Sequence, residues 1–172
     1  MVVNRPWGRY LPAGMPSGRV HLAVEMGALC AFAAGGGYAA ATGWLAPEEV
    51  AAFLGSYLFS SLLLSPDLDL ARSDVSRRWV FARVLWLPYA RIFQHRGTSH
   101  RVILGPLSRV IYLAGLCLLL AAGIYWVTGR AMTLAWPGGR VITALAAGVF
   151  GPNVLHVILD HLQTAARRRR RR

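Results

Sequence analysis

Four long apolar runs, separated by polar segments, dominate the pattern of this chain. Each run is close to or above the length of about 17 residues at which a helix can cross a bilayer. The pattern therefore predicts an all-α polytopic membrane protein with about four transmembrane helices, at residues 22–45, 48–64, 102–127 and 141–159.

Local signals mark the ends of these predicted helices. Glu25 is the only charged residue in the first run, and Gly35-Gly36-Gly37 would let another helix approach closely. Pro47 followed by Glu48-Glu49 is typical of a helix start, and Pro66 marks the end of the second run. The second span is thus close to the short limit, and Pro152 is expected to kink the fourth.

The polar segments complete the predicted organisation. Residues 1–20 lack the apolar core of a signal peptide, so we interpret them as a cytoplasmic leader, with Met15 as an alternative start. Residues 71–94 alternate arginines with aromatic residues, which is typical of a helix at the headgroup boundary, here broken near Pro88. A single membrane-embedded domain is expected over residues 21–163, followed by a basic cytoplasmic tail at 164–172.

Composition agrees with a membrane protein. Of 172 residues, 55% are hydrophobic, which is too apolar for an ordinary soluble domain of this length. Cys30 and Cys117 stand alone inside apolar runs, so they offer neither a disulfide framework nor a thiolate metal motif.

The distribution of arginine predicts the orientation in the membrane. All 19 basic residues are arginine. Three fall before the first span, seven in the connector between the second and third spans (residues 65–101) and six in the tail, sixteen in all, whereas Arg130 and Arg140 fall in the opposite loops. By the positive-inside rule both termini are cytoplasmic in a bacterial inner membrane. The connector and tail are then expected to contact anionic lipid headgroups, and the net charge of +12 does not indicate nucleic-acid binding. The oligomeric state stays open.

Histidines and aspartates gather at the cytoplasmic ends of the four predicted spans. For any one of them, a headgroup or turn residue is the commoner explanation. Together they form a mixed set of nitrogen and oxygen ligands that suits a divalent metal, zinc before manganese or iron, with two ions preferred over one. The predicted metal ligands are His21, Asp67, Asp69, His95, His100, His156 and Asp160. His161 points away from the face that His156 and Asp160 share, so it is the least favoured histidine.

Two charged residues inside the spans are candidate catalytic residues. Glu25 shares a helical face with His21, four residues earlier, and could act as a general base. Arg109 is the only arginine within a predicted span, and it could neutralise the carboxylates or hold an anionic substrate group.

Several of these elements resemble a family of bacterial membrane proteins described as predicted metal-binding proteins. The resemblance covers nearly the whole chain and implies the same seven ligands. It is carried by Met15-Pro16-Ser17-Gly18-Arg19, His21, Pro66-Asp67-Leu68-Asp69, Arg78-Trp79, Trp86-Leu87-Pro88-Tyr89, His95-Arg96-Gly97, Ser99-His100, His156 and Asp160, with Gly105, Arg109 and Tyr112 also matching. The His-Arg-Gly and Ser-His elements are also similar to the LexA-regulated membrane-bound metal-dependent hydrolases.

Three functions remain open from the sequence. The first is a metal-dependent hydrolase of a phosphorylated or lipid-linked substrate, since seven ligands would suffice for two metals. The second is a non-catalytic membrane protein with a structural metal site. The third, a metal transporter, fits poorly because the spans carry few polar groups beyond Glu25 and Arg109.

Overall fold

The computed structural model describes residues 18–65, 75, 78–92, 102–131, 133 and 135–170. Within these ranges the chain forms helices and loops without strands, so the predicted all-α class is confirmed. The helices are α1 (Gly18–Ala41), α2 (Pro47–Leu63), a 3₁₀ helix (Val80–Trp86), α3 (Leu87–Ile92), α4 (Leu104–Thr128) and α5 (Gly139–Arg170).

Three helices of the described chain are long and apolar enough to cross a membrane. They cover Val20–Ala41, Leu104–Thr128 and Gly139–Ala166. The fourth predicted span corresponds to α2, which has only 17 residues and carries two acids in its first turn. Its short length and its polar residues keep it out of this group, so the prediction of four spans is not confirmed.

A tight reversal joins α1 to α2. Gly43 has a φ of +76°, a left-handed conformation that glycine adopts without a Cβ penalty. Beyond it, the Ala46 amide donates to Glu49 Oε2 at 3.1 Å, which satisfies one of the unpaired amides at the start of α2. Pro47 occupies the first turn, where its missing N–H is not needed. The two helices are therefore antiparallel neighbours.

Helix α2 packs most extensively against α5. The Ser60 hydroxyl donates to the Val149 carbonyl oxygen at 2.8 Å. Gly148 lies directly against the backbone of α2, so that a Cβ on it would collide with the Phe53 carbonyl and with Tyr57 N. Small residues at this crossing allow the two backbones to approach closely. Glu49 lies beside Arg140 near the starts of the two helices, and Ser60 lies beside Val149 further along both, so α2 and α5 run in the same direction.

An aromatic core holds the connector against α4. Leu64, Val75, Trp86 and Tyr89 are its buried members, and Trp79, Tyr112 and Leu113 pack around them. The Tyr89 hydroxyl lies 2.9 Å from Ser108 Oγ of α4, and the Tyr112 hydroxyl donates to the Leu85 carbonyl.

Over residues 80–92 the structure has two short helices where the sequence predicts one broken helix. The change from 3₁₀ to α geometry comes between Trp86 and Leu87, just before Pro88. Its position at a headgroup boundary stays a prediction.

Helix α5 extends well beyond the predicted fourth span. It continues past Leu159 to Arg170 and includes Pro152 in its interior. At about 1.5 Å per residue, its 32 residues span roughly 48 Å, which exceeds the hydrocarbon core of a bilayer of about 30 Å. Most of the predicted basic tail is thus a continuation of the helix that carries His156 and Asp160.

Candidate metal site

Two buried imidazoles, one from α1 and one from α5, stack at one end of the bundle. The His21 and His156 ring centroids lie 4.0 Å apart, and the ring planes differ by 19°. Both side chains are buried. The first turn of α1 and the middle of α5 are therefore in direct contact through these two side chains.

Asp160 completes a three-residue group with the two histidines. His21 Nε2 lies 3.4 Å from Asp160 Oδ1, and His156 Nε2 lies 3.8 Å from Asp160 Oδ2. One ligand atom from each residue lies within 4.8 Å of the others. The Asp160 side chain is 38% exposed, so this side of the group is open to solvent. The structure thus brings together three of the seven predicted ligands.

The geometry and chemistry of this group fit a divalent metal ion. Ligands at about 2.0–2.2 Å from a tetrahedral zinc lie roughly 3.3 Å from one another, close to the nitrogen–oxygen distances of 3.4 and 3.8 Å. Two imidazoles and one carboxylate are donors that zinc, manganese and iron all accept. With one ligand atom from each residue, the separations are within 4.8 Å, so the side chains would have to move closer together to hold one ion.

Glu25 lies on the far side of His156 from Asp160. Its Oε1 atom is 3.6 Å from His156 Nδ1, whereas His156 Nε2 faces Asp160. Glu25 is buried on α1, one helical turn after His21. Histidine ligands of metals commonly present the second ring nitrogen to a carboxylate, which fixes the orientation of the ring. This placement favours Glu25 as the group that orients His156; its predicted role as a general base stays a prediction.

Arg109 is fully buried at the junction of three helices. Its guanidinium donates to the Leu64 carbonyl at the end of α2 at 2.7 Å, and to Asn153 Oδ1 of α5 at 3.5 Å. These contacts assign Arg109 a part in holding helix ends together. The predicted binding of an anionic substrate group stays a prediction.

Asn153 is a residue that the sequence reasoning missed. It is buried on α5, three residues before His156. Its Nδ2 atom donates to the Val102 carbonyl at the start of α4, at 3.0 Å. A signal for Asn153 was present in the sequence: it is a polar amide in an apolar helix, one turn from a predicted ligand.

The remaining candidates divide into two groups. Asp67, Asp69, His95 and His100 lie outside the described residues. His161 is exposed beside an open groove that Val157, Asp160 and Thr164 also line. It is not part of the three-residue group found among the described residues, and its low rank among the histidines stays a prediction.

Comparison with known proteins decides the family. A family model described as "Uncharacterized metal-binding protein (DUF2227)" matches residues 16–170. The chain belongs to this family. Metal binding is the property in the description of the DUF2227 family, and the His21, His156 and Asp160 group lies within the matched residues. The resemblance to predicted metal-binding proteins is therefore confirmed.

One relative shares part of the DUF2227 chain. An uncharacterized protein of Aquifex aeolicus (strain VF5) is 41% identical over 70 residues, which cover 40% of this chain and 50% of the relative. The match therefore spans about half the length of that relative. No solved structure matches the chain. The similarity to LexA-regulated hydrolases receives no support from these comparisons and stays a prediction.

Proposed function

We propose that this DUF2227 protein is an integral protein of the bacterial inner membrane that binds divalent metal and hydrolyses a phosphorylated or lipid-linked substrate. The observation that carries the proposal is the group formed by His21, His156 and Asp160 between α1 and α5. Family membership supports the metal-binding part independently.

Access of solvent to the group favours a catalytic centre over a purely structural one. Within the described residues, His21, His156 and Asp160 offer ligand atoms. Asp160 is partly exposed, so water and substrate can reach the group from that side. When bound, a divalent ion supplies Lewis-acid chemistry that lowers the pKa of water and polarises phosphoryl oxygens. The two histidines and Asp160 would hold it, and Glu25 would orient His156.

Zinc is the proposed metal because imidazole and carboxylate ligands without thiolate suit it, with manganese or iron as substitutes. A second ion would draw on the remaining predicted ligands, namely Asp67, Asp69, His95 and His100.

Exposed tryptophans support the membrane location. Trp44 follows α1, Trp126 lies near the end of α4, and Trp136 precedes α5; all three are exposed. Since His21 opens α1 and Asp160 lies far along α5, these tryptophans belong to the end of the bundle opposite the metal group. A belt of tryptophan is typical of a membrane–water interface. The arginine count then assigns the metal end to the cytoplasm.

A structural metal is the second candidate function. Its support is that the group joins α1 directly to α5, so that an ion would link the two helices across the bundle. A transport function lacks comparable support, because His21, Glu25, Asn153 and His156 all lie toward one end of the bundle.

Both candidate functions require bound metal, so the metal content of the purified protein tests both. The full chain, purified in detergent, should carry at least one divalent ion by elemental analysis. His156→Ala and Asp160→Asn should lose most of it, because each removes a ligand atom. His161→Ala is the matched control, since His161 is an exposed neighbour outside the group, and it should keep the metal of the parent. A metal-free parent, or equal loss in the control, would overturn the proposal.

Hydrolysis by the parent separates enzyme from scaffold, and the substitution Glu25→Gln separates a general base from an orienting residue. With zinc or manganese supplied, the parent should hydrolyse a member of a phosphoester and acyl-ester panel, and Asp160→Asn should not. A general base would give Glu25→Gln at least a roughly hundredfold loss of rate with unchanged metal affinity. An orienting residue would give a roughly ten- to hundredfold loss of metal affinity. If the parent binds metal but hydrolyses no substrate on the panel, the enzyme proposal is wrong and the structural metal site is the supported function.

Labelling of single cysteines tests the orientation, in a background without Cys30 and Cys117. Cysteines at positions 47 and 135 should react from outside the cell, whereas those at positions 85 and 170 should be protected. If position 85 were labelled from outside, the seven proposed ligands would not all lie on one side of the membrane, and the proposal of a seven-ligand site would be wrong.

A further inference from the structure

Asn153 connects three helices beside the metal group. It accepts a hydrogen bond from Arg109 of α4 through Oδ1, and donates through Nδ2 to the Val102 carbonyl at the start of α4. Arg109 in turn donates to the Leu64 carbonyl at the end of α2. One amide and one guanidinium therefore tie the end of α2, the start of α4 and the middle of α5 together.

The junction is buried and charged. Arg109 is fully buried and Asn153 nearly so, and such polar groups are retained in an apolar interior only where their hydrogen bonds are made. The end of α2 receives further donors, because Arg78 bonds the Leu62 carbonyl and Trp79 Nε1 bonds the Leu63 carbonyl, each at 3.0 Å. Three successive carbonyls at this helix end are thus paired with side-chain donors, two of them cationic, which suits the negative end of the helix dipole.

The position of the junction relates it to the metal group. Asn153 precedes His156 by three residues, so it lies on a neighbouring part of the same face, roughly 4.5 Å along the helix axis. Any tilt or rotation of this part of α5 that breaks the bond to Val102 also displaces His156 relative to His21. The register of α5 against α4 and the position of one metal ligand are therefore coupled.

We infer that Asn153 is a positioning residue of the metal site, which sets the placement of His156 by locking α5 to the ends of α2 and α4. The inference rests on the proposed metal-binding function. It adds a residue that coordinates nothing itself and acts through hydrogen bonds to Arg109 and Val102.

The test compares metal affinity with stability in Asn153→Leu. The substitution keeps the number and branching of the side-chain heavy atoms but removes both hydrogen bonds. Zinc affinity, measured by competition with a chelating dye on the full chain in detergent, should fall roughly ten- to hundredfold, as for other residues that orient metal ligands. Ser60→Ala is the matched control, because Ser60 is also buried and also bonds between two helices, but to Val149. It should lower the apo melting temperature and leave zinc affinity as in the parent.

The outcomes separate the inference from the proposed function. If the parent binds no metal, the proposed function fails and this inference with it. If the parent binds zinc and Asn153→Leu binds it equally tightly, only the inference is overturned, and Asn153 has a purely structural role. Should Asn153→Leu fail to fold, Asn153→Ser provides the same comparison, since a smaller side chain avoids steric conflict but cannot reach both partners. Equal zinc affinity in Asn153→Ser would overturn the inference as well.

Discussion

Helices α2 and α4 both bury polar residues, but they differ in how much apolar surface they expose. In α4, the longest apolar run is exposed; Leu119 is 72% exposed, and the buried positions are Gly105, Pro106 and Arg109. In α2, the buried positions are polar or amphipathic, namely Glu49, Tyr57, Ser60 and Ser61. The apolar helix thus faces outward, while the more polar helix packs inside against α5.

The contrast indicates which helices would meet lipid. A protein in water buries its apolar side chains and exposes its polar ones, whereas here a long leucine-rich helix presents its side chains to the surroundings. Hydropathy therefore identifies α1, α4 and α5, which carry the outward apolar surface. It does not identify α2, which has only 17 residues and buries Glu49 and two serines.

The largest expected effect comes from a charge on the outer face of α4. Leu119→Arg should reduce membrane insertion by roughly 3 kcal/mol, since arginine at the centre of a span is strongly disfavoured in translocon insertion. The fraction of protein that resists alkaline extraction from membranes measures this. Leu119→Ala is the control and should extract like the parent. Undiminished integration of Leu119→Arg would mean that α4 does not face lipid at this position.

The next effect concerns the crossing of α2 and α5. Gly148→Ala should destabilise the protein by about 1–3 kcal/mol, because its Cβ would overlap the backbone of α2. Thermal unfolding in detergent measures the change. Gly123→Ala in α4 is the matched control: nothing lies within 4 Å of a Cβ there, and the better helix propensity of alanine should leave stability equal or slightly higher. Equal stability of the two variants would contradict the close α2–α5 packing.

The smallest effect concerns a single hydrogen bond. Ser60→Ala should cost about 1 kcal/mol, because it leaves the buried Val149 carbonyl without this donor. Thr143→Ala, an exposed hydroxyl bonded within its own helix, should change the melting temperature by less than Ser60→Ala. The reverse order would mean that the interior of α2 is less buried than the structure describes.

The sequence predicts the helical class and the starts of the helices well, for local reasons. Runs of apolar residues and Pro47 with its acidic neighbours are signals that act within one or two turns. The end of α5 is predicted less well. The six arginines indicate that the apolar run has ended, but they do not end the helix. Arginine has a high helix propensity, so the chain continues in the same geometry to Arg170.

The sequence indicates the three residues of the described metal group as candidates, but not their arrangement; the other four predicted ligands stay a prediction. The four-residue spacings suggested that His21 and Glu25 share one face of α1, and that His156 and Asp160 share one face of α5. Which nitrogen of His156 faces which carboxylate depends on how α1 crosses α5, and no local pattern carries that information. The hydrogen-bond partners of Asn153 could not be predicted for the same reason, because they lie 44 and 51 residues away along the chain.

The pairing of α2 with α5 also constrains the order of biosynthesis. Ser60 and its partner Val149 are separated by 89 residues. At a synthesis rate of about 5–20 residues per second, α2 is complete roughly 4–18 seconds before its partner exists. During that interval α1, whose Phe32 contacts Tyr57, is already present beside α2. The metal group, which needs His156 and Asp160 from α5, can form only after α5 has been synthesised.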